Sequence, residues 1–88
     1  MTRAQKVLDR MRRTSAGWRP HDLRALYLGF GFEEHQGAKH SKYWHPIHRQ
    51  LWTTVPRSAP LSKAYAEQAV ALIDELTRLE EDGHGRDR

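Results

Sequence analysis

Residues Phe30 to Val55 read FGFEEHQGAKHSKYWHPIHRQLWTTV. On either side of this stretch apolar residues recur at helical spacing; within it the period changes to two, the repeat of a strand with two unlike faces. The alternation predicts a strand over Phe30 to Gln36 and a tight turn at Gly37-Ala38. A second, aromatic-rich strand is expected over Lys39 to His45, a four-residue loop at Pro46 to Arg49, and a third strand from Gln50 to Val55. Pro56 ends the third strand because proline has no N–H to give to the ladder. Short connections between consecutive strands make this a three-stranded antiparallel meander.

Working outward, Thr2 and Gln5 form the T-x-x-Q pattern of a helix start, and Ala4, Val7, Leu8 and Met11 follow at helical spacing. Ser15, Ala16 and Gly17 break that helix. Pro20 suits a first helical position, with Asp22 in the favourable first turn and Leu23, Leu26 and Tyr27 along one face. Gly29 is expected at the left-handed position after the helix, with Phe30 folding back over its end. Beyond the strands, Ser62 precedes the strongest amphipathic pattern, in which Tyr65, Ala69, Leu72, Ile73, Leu76 and Leu79 keep one apolar stripe. Gly83 is expected to end this helix and residues 84–88 to fray. The order helix, helix, three strands, helix predicts an α+β two-layer sandwich with one sheet face covered by helices. Residues 1–16 form a helical extension, 17–82 the domain proper, and 83–88 a disordered tail.

Lys and Arg number 15 against 11 Asp and Glu in 88 residues, a formal charge of +4. The charge is divided unevenly: Met1 to Lys63 carries 12 basic and 4 acidic residues, and the remainder 3 basic and 7 acidic. A basic segment followed by an acidic one points to an anionic partner. With no cysteine there is neither a disulfide framework nor a thiolate zinc site. The apolar run Ala25 to Phe32 is far shorter than the ~20 residues of a membrane span, and Arg3 and Lys6 are followed by no apolar signal-peptide region. A soluble cytoplasmic protein is expected, with no membrane partner.

Four of the six histidines lie between His35 and His48. A metal site would need three or four of them to converge without cysteine or well-placed carboxylates, and none is expected. Alternation separates His40 from His45, and His35, His45 and His48 read as surface strand residues. Ser41 cannot pair with the adjacent His40, since neighbours on a strand point to opposite faces. Asp9, Asp22, Glu33 and Glu34 are too few for a two-metal nuclease. His40, Lys42 and Trp44 share one face of the second strand, and Ser41, Tyr43 and His45 the other. An imidazole, a cation and an indole together suit single-stranded nucleic acid, through proton transfer, phosphate neutralisation and base stacking. Either Tyr43 or Trp44 must face the core, and alternation leaves that choice open.

The segment Gly37-Ala38-Lys39-His40-Ser41-Lys42-Tyr43-Trp44-His45-Pro46 resembles the G-S-H-x-x-F-x-H-P signature of the HicA toxins, small mRNA interferases of bacterial toxin–antitoxin pairs. Gly29-Phe30-Gly31-Phe32, Thr54-Val55-Pro56, Leu61-Ser62-Lys63, Gln68-Ala69 and Ile73 extend the likeness over about Trp18 to Leu76. Here Ala38-Lys39 stand where the family has Gly-Ser. The resemblance implies a fold like a double-stranded-RNA-binding domain, preceded here by the extra N-terminal helix. It also implies one catalytic histidine, His40, a mechanism without metal or other cofactor, and a HicB-like antitoxin as protein partner.

The expected function is thus a toxin that is a metal-independent endoribonuclease of mRNA. His40 would act as general acid or base, Lys39 and Lys42 would hold the phosphate, and Trp44 and Trp52 would stack on bases. Arg12, Arg13, Arg19 and Arg24 would extend the phosphate track. The alternative is a non-catalytic RNA-binding module of the same fold.

Overall fold

The computed structural model describes residues 1–58 and 60–86, with side chains described as far as Asp82. The chain forms α1 (Arg3–Arg13), α2 (Pro20–Gly29), β1 (Glu33–Gln36), β2 (His40–Trp44), β3 (Trp52–Pro56) and α3 (Lys63–Arg86). The three strands make one antiparallel sheet in the order β1-β2-β3. Glu34 faces Tyr43, which in turn faces Thr53, and Ser41 faces Val55. Helices cover one side of the sheet, so the architecture is a small two-layer α+β fold.

Local chemistry sets the helix starts. The Thr2 hydroxyl accepts from the Gln5 backbone N–H at 3.2 Å, and the Gln5 side chain accepts from the Thr2 N–H at 3.0 Å. Two donors that have no partner within the helix are thereby satisfied. Pro20 opens α2, where Asp22 accepts from the Arg19 N–H at 3.0 Å. Arg10, Arg12 and Arg13 fill the last turn of α1, complementing its dipole.

The core joins Met11 of α1, Leu23, Leu26 and Tyr27 of α2, Tyr43 and Val55 of the sheet, and Ala66, Ala69, Ile73 and Leu76 of α3. Each fully buried large side chain contributes about 1.5–3 kcal/mol relative to exposure. Tyr27 lies against Tyr43 with ring centroids 4.9 Å apart, which places Tyr43 inward and leaves Trp44 on the outer face. The Thr53 hydroxyl donates to Gln68 of α3 at 2.6 Å, joining sheet to helix, and the Tyr43 hydroxyl donates across the strands to Glu34 at 2.8 Å. Arg12 makes a two-pronged pair with Asp74, fastening α1 to α3.

Several boundaries differ from the sequence expectation. The first strand begins at Glu33, because Phe30 and Gly31 turn the chain out of α2; the Phe32 N–H still donates to the Tyr27 carbonyl at 3.0 Å. Gly31, with φ +87°, takes the left-handed position expected of Gly29. Gly29 remains inside α2, where a Cβ would stand 2.3 Å from the Ala4 Cβ, so it is the point at which α1 and α2 touch. The third strand is shifted to Trp52–Pro56; Pro56 fits there because β3 is an edge strand. The expected stop at Gly83 gives way to a helix that runs through to Arg86, a glycine costing only about 1 kcal/mol in a helix interior. Asp87 and Arg88, in the expected disordered tail, lie outside the described residues.

Tyr27 is fully buried and its hydroxyl has no hydrogen-bond partner among the described residues. Burial, with the neighbouring Tyr43 second, raises its pKa far above the usual tyrosine value. A buried donor without an acceptor costs about 1–3 kcal/mol. Tyr27→Phe is therefore expected to stabilise the fold by about 1 kcal/mol, a rise of roughly 4–8 °C in Tm for a domain of this size. A thermal melt with a lower Tm would show that the hydroxyl is satisfied.

Candidate nucleic-acid interface

The pairing of the strands arranges the uncovered sheet face in rows. His40 stands opposite Pro56 near the turn; His35, Lys42 and Thr54 form the next row; Glu33, Trp44 and Trp52 form the third. His40 and Lys42 are exposed, Trp44 is half-buried and Trp52 is 54% exposed. The Lys42 ammonium sits 5.3 Å from the centre of the Trp52 ring, a cation–π contact worth about 0.5–1 kcal/mol at an exposed site. Arg49, from the loop between β2 and β3, joins His35, Lys42, Trp44 and Trp52 around a depression of about 610 Å³.

The turn that carries Lys39 and presents His40 is held from a neighbouring strand end. The Gly37 N–H donates to the His40 carbonyl at 2.8 Å, so Ala38 and Lys39 form the turn, one residue later than expected. Arg57, directly after β3, donates its backbone N–H to the Lys39 carbonyl at 2.9 Å and its guanidinium to the Gly37 carbonyl at 2.6 Å. A Cβ at Gly37 would lie 2.9 Å from the His40 carbonyl oxygen, so the turn requires glycine there.

His45 departs from the expectation of a surface histidine: it is 5% exposed. Its Nδ1 accepts from the backbone N–H groups of Ile47 (3.2 Å) and His48 (3.1 Å), and its ring meets the Phe32 ring edge-on at 5.4 Å. The loop after β2 thus has its own internal acceptor, which orders the segment leading to Arg49. Burial first, then the nearby His48, lowers the His45 pKa below its ordinary 6.5, against the opposing pull of Glu80. The unfolded chain therefore takes up this proton before the folded one. Stability due to this group is full above pH 6.5 and is lost as pH falls from there through the folded pKa. Melts between pH 8 and pH 5 are expected to show a downward slope that His45→Asn reduces, since the asparagine carbonyl can accept the same N–H groups. An identical slope in the variant would place the pH dependence elsewhere.

The cations fall into two groups. Arg12 pairs with Asp74, Arg13 with Asp9 at 3.3 Å, and Arg24 with Glu34 at 3.1 Å; all three belong to the helices. Burial works to raise the Glu34 carboxyl, but the hydrogen bonds from Tyr43 and Arg24 prevail and hold it below its ordinary value. Arg19 is exposed beside the start of α2. None of these four arginines lines the depression. Lys39, Lys42, Arg49 and Arg57 form no ion pair among the described residues, and nor does Arg19; Lys42 and Arg49 are the cations that line the depression. The sheet face therefore carries His40, Lys42, Trp44 and Trp52, with Lys39 at the adjoining turn; Lys42, Trp44 and Trp52 line the depression, and His40 and Lys39 stand outside its lining. His35 is the exposed strand residue the alternation predicts, and it lines the depression; Arg49 and Arg57 have no counterpart in the sequence expectation. His35 was legible from the strand register, whereas Arg49 and Arg57 act from loops whose course only the fold supplies.

Among the described residues no group of three or more His, Asp or Glu side chains is placed to hold a metal ion. No family model, curated protein or solved structure matches the chain.

Proposed function

We propose that the uncovered sheet face binds single-stranded RNA and that His40 cleaves it, as the mRNA interferase activity of a HicA-like toxin. The observation that carries this reading is the convergence on one face of an exposed imidazole, cations without carboxylate partners and two accessible indoles. Phosphates bind the cations, and bases stack on the indoles whatever their sequence. The α2-β1-β2-β3-α3 portion supports a domain resembling those that bind double-stranded RNA, with α1 added to its helical side.

In the proposed reaction the RNA 2′-oxygen attacks the adjacent phosphorus and the bond from phosphorus to the 5′-oxygen breaks. The products are a 2′,3′-cyclic phosphate and a free 5′-hydroxyl. The His40 imidazole moves the proton between the 2′-hydroxyl and the departing 5′-oxygen, as general base and then general acid. Lys39 and Lys42 stabilise the charge that develops on the phosphate. A HicB-like antitoxin covering this face would block all three, and an enzyme acting on mRNA would work in the cytoplasm.

Incubating the purified chain with single-stranded RNA in EDTA tests the reading. It predicts fragments ending in cyclic phosphate and an affinity that falls as salt rises. RNA that is neither bound nor cut would overturn it. A non-catalytic RNA-binding module is the second reading, favoured by one observation: the His40 side chain has no hydrogen-bond partner among the described residues to orient its ring. Salt-dependent binding without cleavage would decide for that module.

A further inference from the structure

We infer that the depression lined by His35, Lys42, Trp44, Arg49 and Trp52 is a base-reading subsite selective for keto nucleobases, guanine and uracil, over the amino bases adenine and cytosine. The inference rests on the RNA-binding reading of the sheet face and adds to it a preference at one nucleotide. The volume of about 610 Å³ falls within the range of small-ligand sites and can admit a nucleotide. Trp44 and Trp52 supply planar surface, and stacking on an indole tolerates every base. Discrimination must therefore come from the polar groups of the lining.

Those groups form a one-sided set. Lys42 and Arg49 only donate hydrogen bonds, and so do the two indole nitrogens. The remaining polar residue, His35, offers one acceptor nitrogen when neutral and none when charged. No Asp, Glu, Asn or Gln lines the depression; Glu33, across the ladder from Trp44, stands outside the lining.

Guanine presents two adjacent acceptors, O6 and N7, which fit the guanidinium fork, and uracil presents carbonyl oxygens. Adenine and cytosine turn an exocyclic amine toward the same groups. The amine then meets donors and gains no hydrogen bond from the lining, whereas a carbonyl oxygen at the same position gains one. Arg49 is the selecting residue: it is exposed on a loop, and it forms no ion pair among the described residues that would compete for it.

The test is tryptophan fluorescence of the full chain titrated separately with GMP, UMP, AMP and CMP into the millimolar range. All four carry the same phosphate, so any difference reports the base. GMP and UMP are expected to bind at least about fivefold more tightly than AMP and CMP, the effect of about 1 kcal/mol in hydrogen bonding. Glutamine both donates and accepts and can pair with adenine, so Arg49→Gln is expected to narrow the gap to less than about twofold by the same relation. Equal binding of the four nucleotides, a preference for AMP or CMP, or an unchanged gap in Arg49→Gln would overturn the inference. Failure of all four to bind, in a chain that still binds RNA, would remove the subsite and leave the proposed function standing. Keto discrimination in a chain that neither binds nor cuts RNA would retain the subsite and remove the proposed function.

Discussion

Replacing His40 with alanine is expected to slow RNA cleavage by about 10²–10⁴-fold, the usual contribution of a general acid or base. Tm should hardly move, because the side chain is exposed and has no hydrogen-bond partner among the described residues. RNA affinity should also hold, since Lys39, Lys42 and the two tryptophans keep their places. That combination separates loss of chemistry from loss of fold or binding. Gel-resolved cleavage under single-turnover conditions, beside a melt and a binding titration, provides the three readouts. Cleavage at the original rate in His40→Ala would remove this residue from the reaction. A large fall in Tm would instead mean that His40 supports the turn held by Arg57, and the lost activity would then have a structural cause.

The second large effect concerns the attachment of α1. Gly29→Ala places a methyl group 2.3 Å from the Ala4 Cβ, well inside van der Waals contact. The helices must separate or shift, and overpacking of this kind costs about 1–3 kcal/mol. For a domain of this size that is a fall in Tm of roughly 5–20 °C. Ala4→Gly in the same chain removes the obstructing atom and leaves the next one, the Ala4 Cα, at an ordinary 3.6 Å. The double variant is therefore expected to recover most of the loss, since the helix-propensity cost of glycine at one site is offset by its removal at the other. Equal Tm for Gly29→Ala and the parent would show that α1 does not lie against α2 at this point.

The sequence made some features plain because their causes are local. The reciprocal bonds of Thr2 and Gln5, the start of α2 at Pro20 and the two faces of β2 all depend on neighbours a few residues away. Features that depend on tertiary partners were hidden. Tyr43 and Trp44 are adjacent aromatics, and only the stacking of Tyr43 on Tyr27 decides which one enters the core. Gly29 read as a helix terminator because the approach of Ala4, from 25 residues earlier, leaves no local trace.

His45 illustrates the same limit within the candidate site. In a strand its polarity argues for exposure, yet the loop that follows requires an acceptor for two backbone N–H groups, and burial of the imidazole supplies it. The arginines show the reverse case. Arg12, Arg13 and Arg24 gave the sequence much of its basic look, but the fold sets each of them beside a carboxylate. The cations without such partners at the sheet face and its turn, Lys39, Lys42 and Arg49, are fewer than the charge count alone implied.

The central claim is that RNA lies across the uncovered sheet face at β2. It is tested most directly by amide and indole NMR shifts of the full chain on adding a single-stranded oligonucleotide with 2′-deoxy sugars, which the proposed reaction cannot cut. The predicted shifts fall on His35, Lys39, His40, Lys42, Trp44, Arg49 and the Trp52 indole. Shifts confined to α1 and α3 around Arg12 and Arg13, with this face silent, would contradict it.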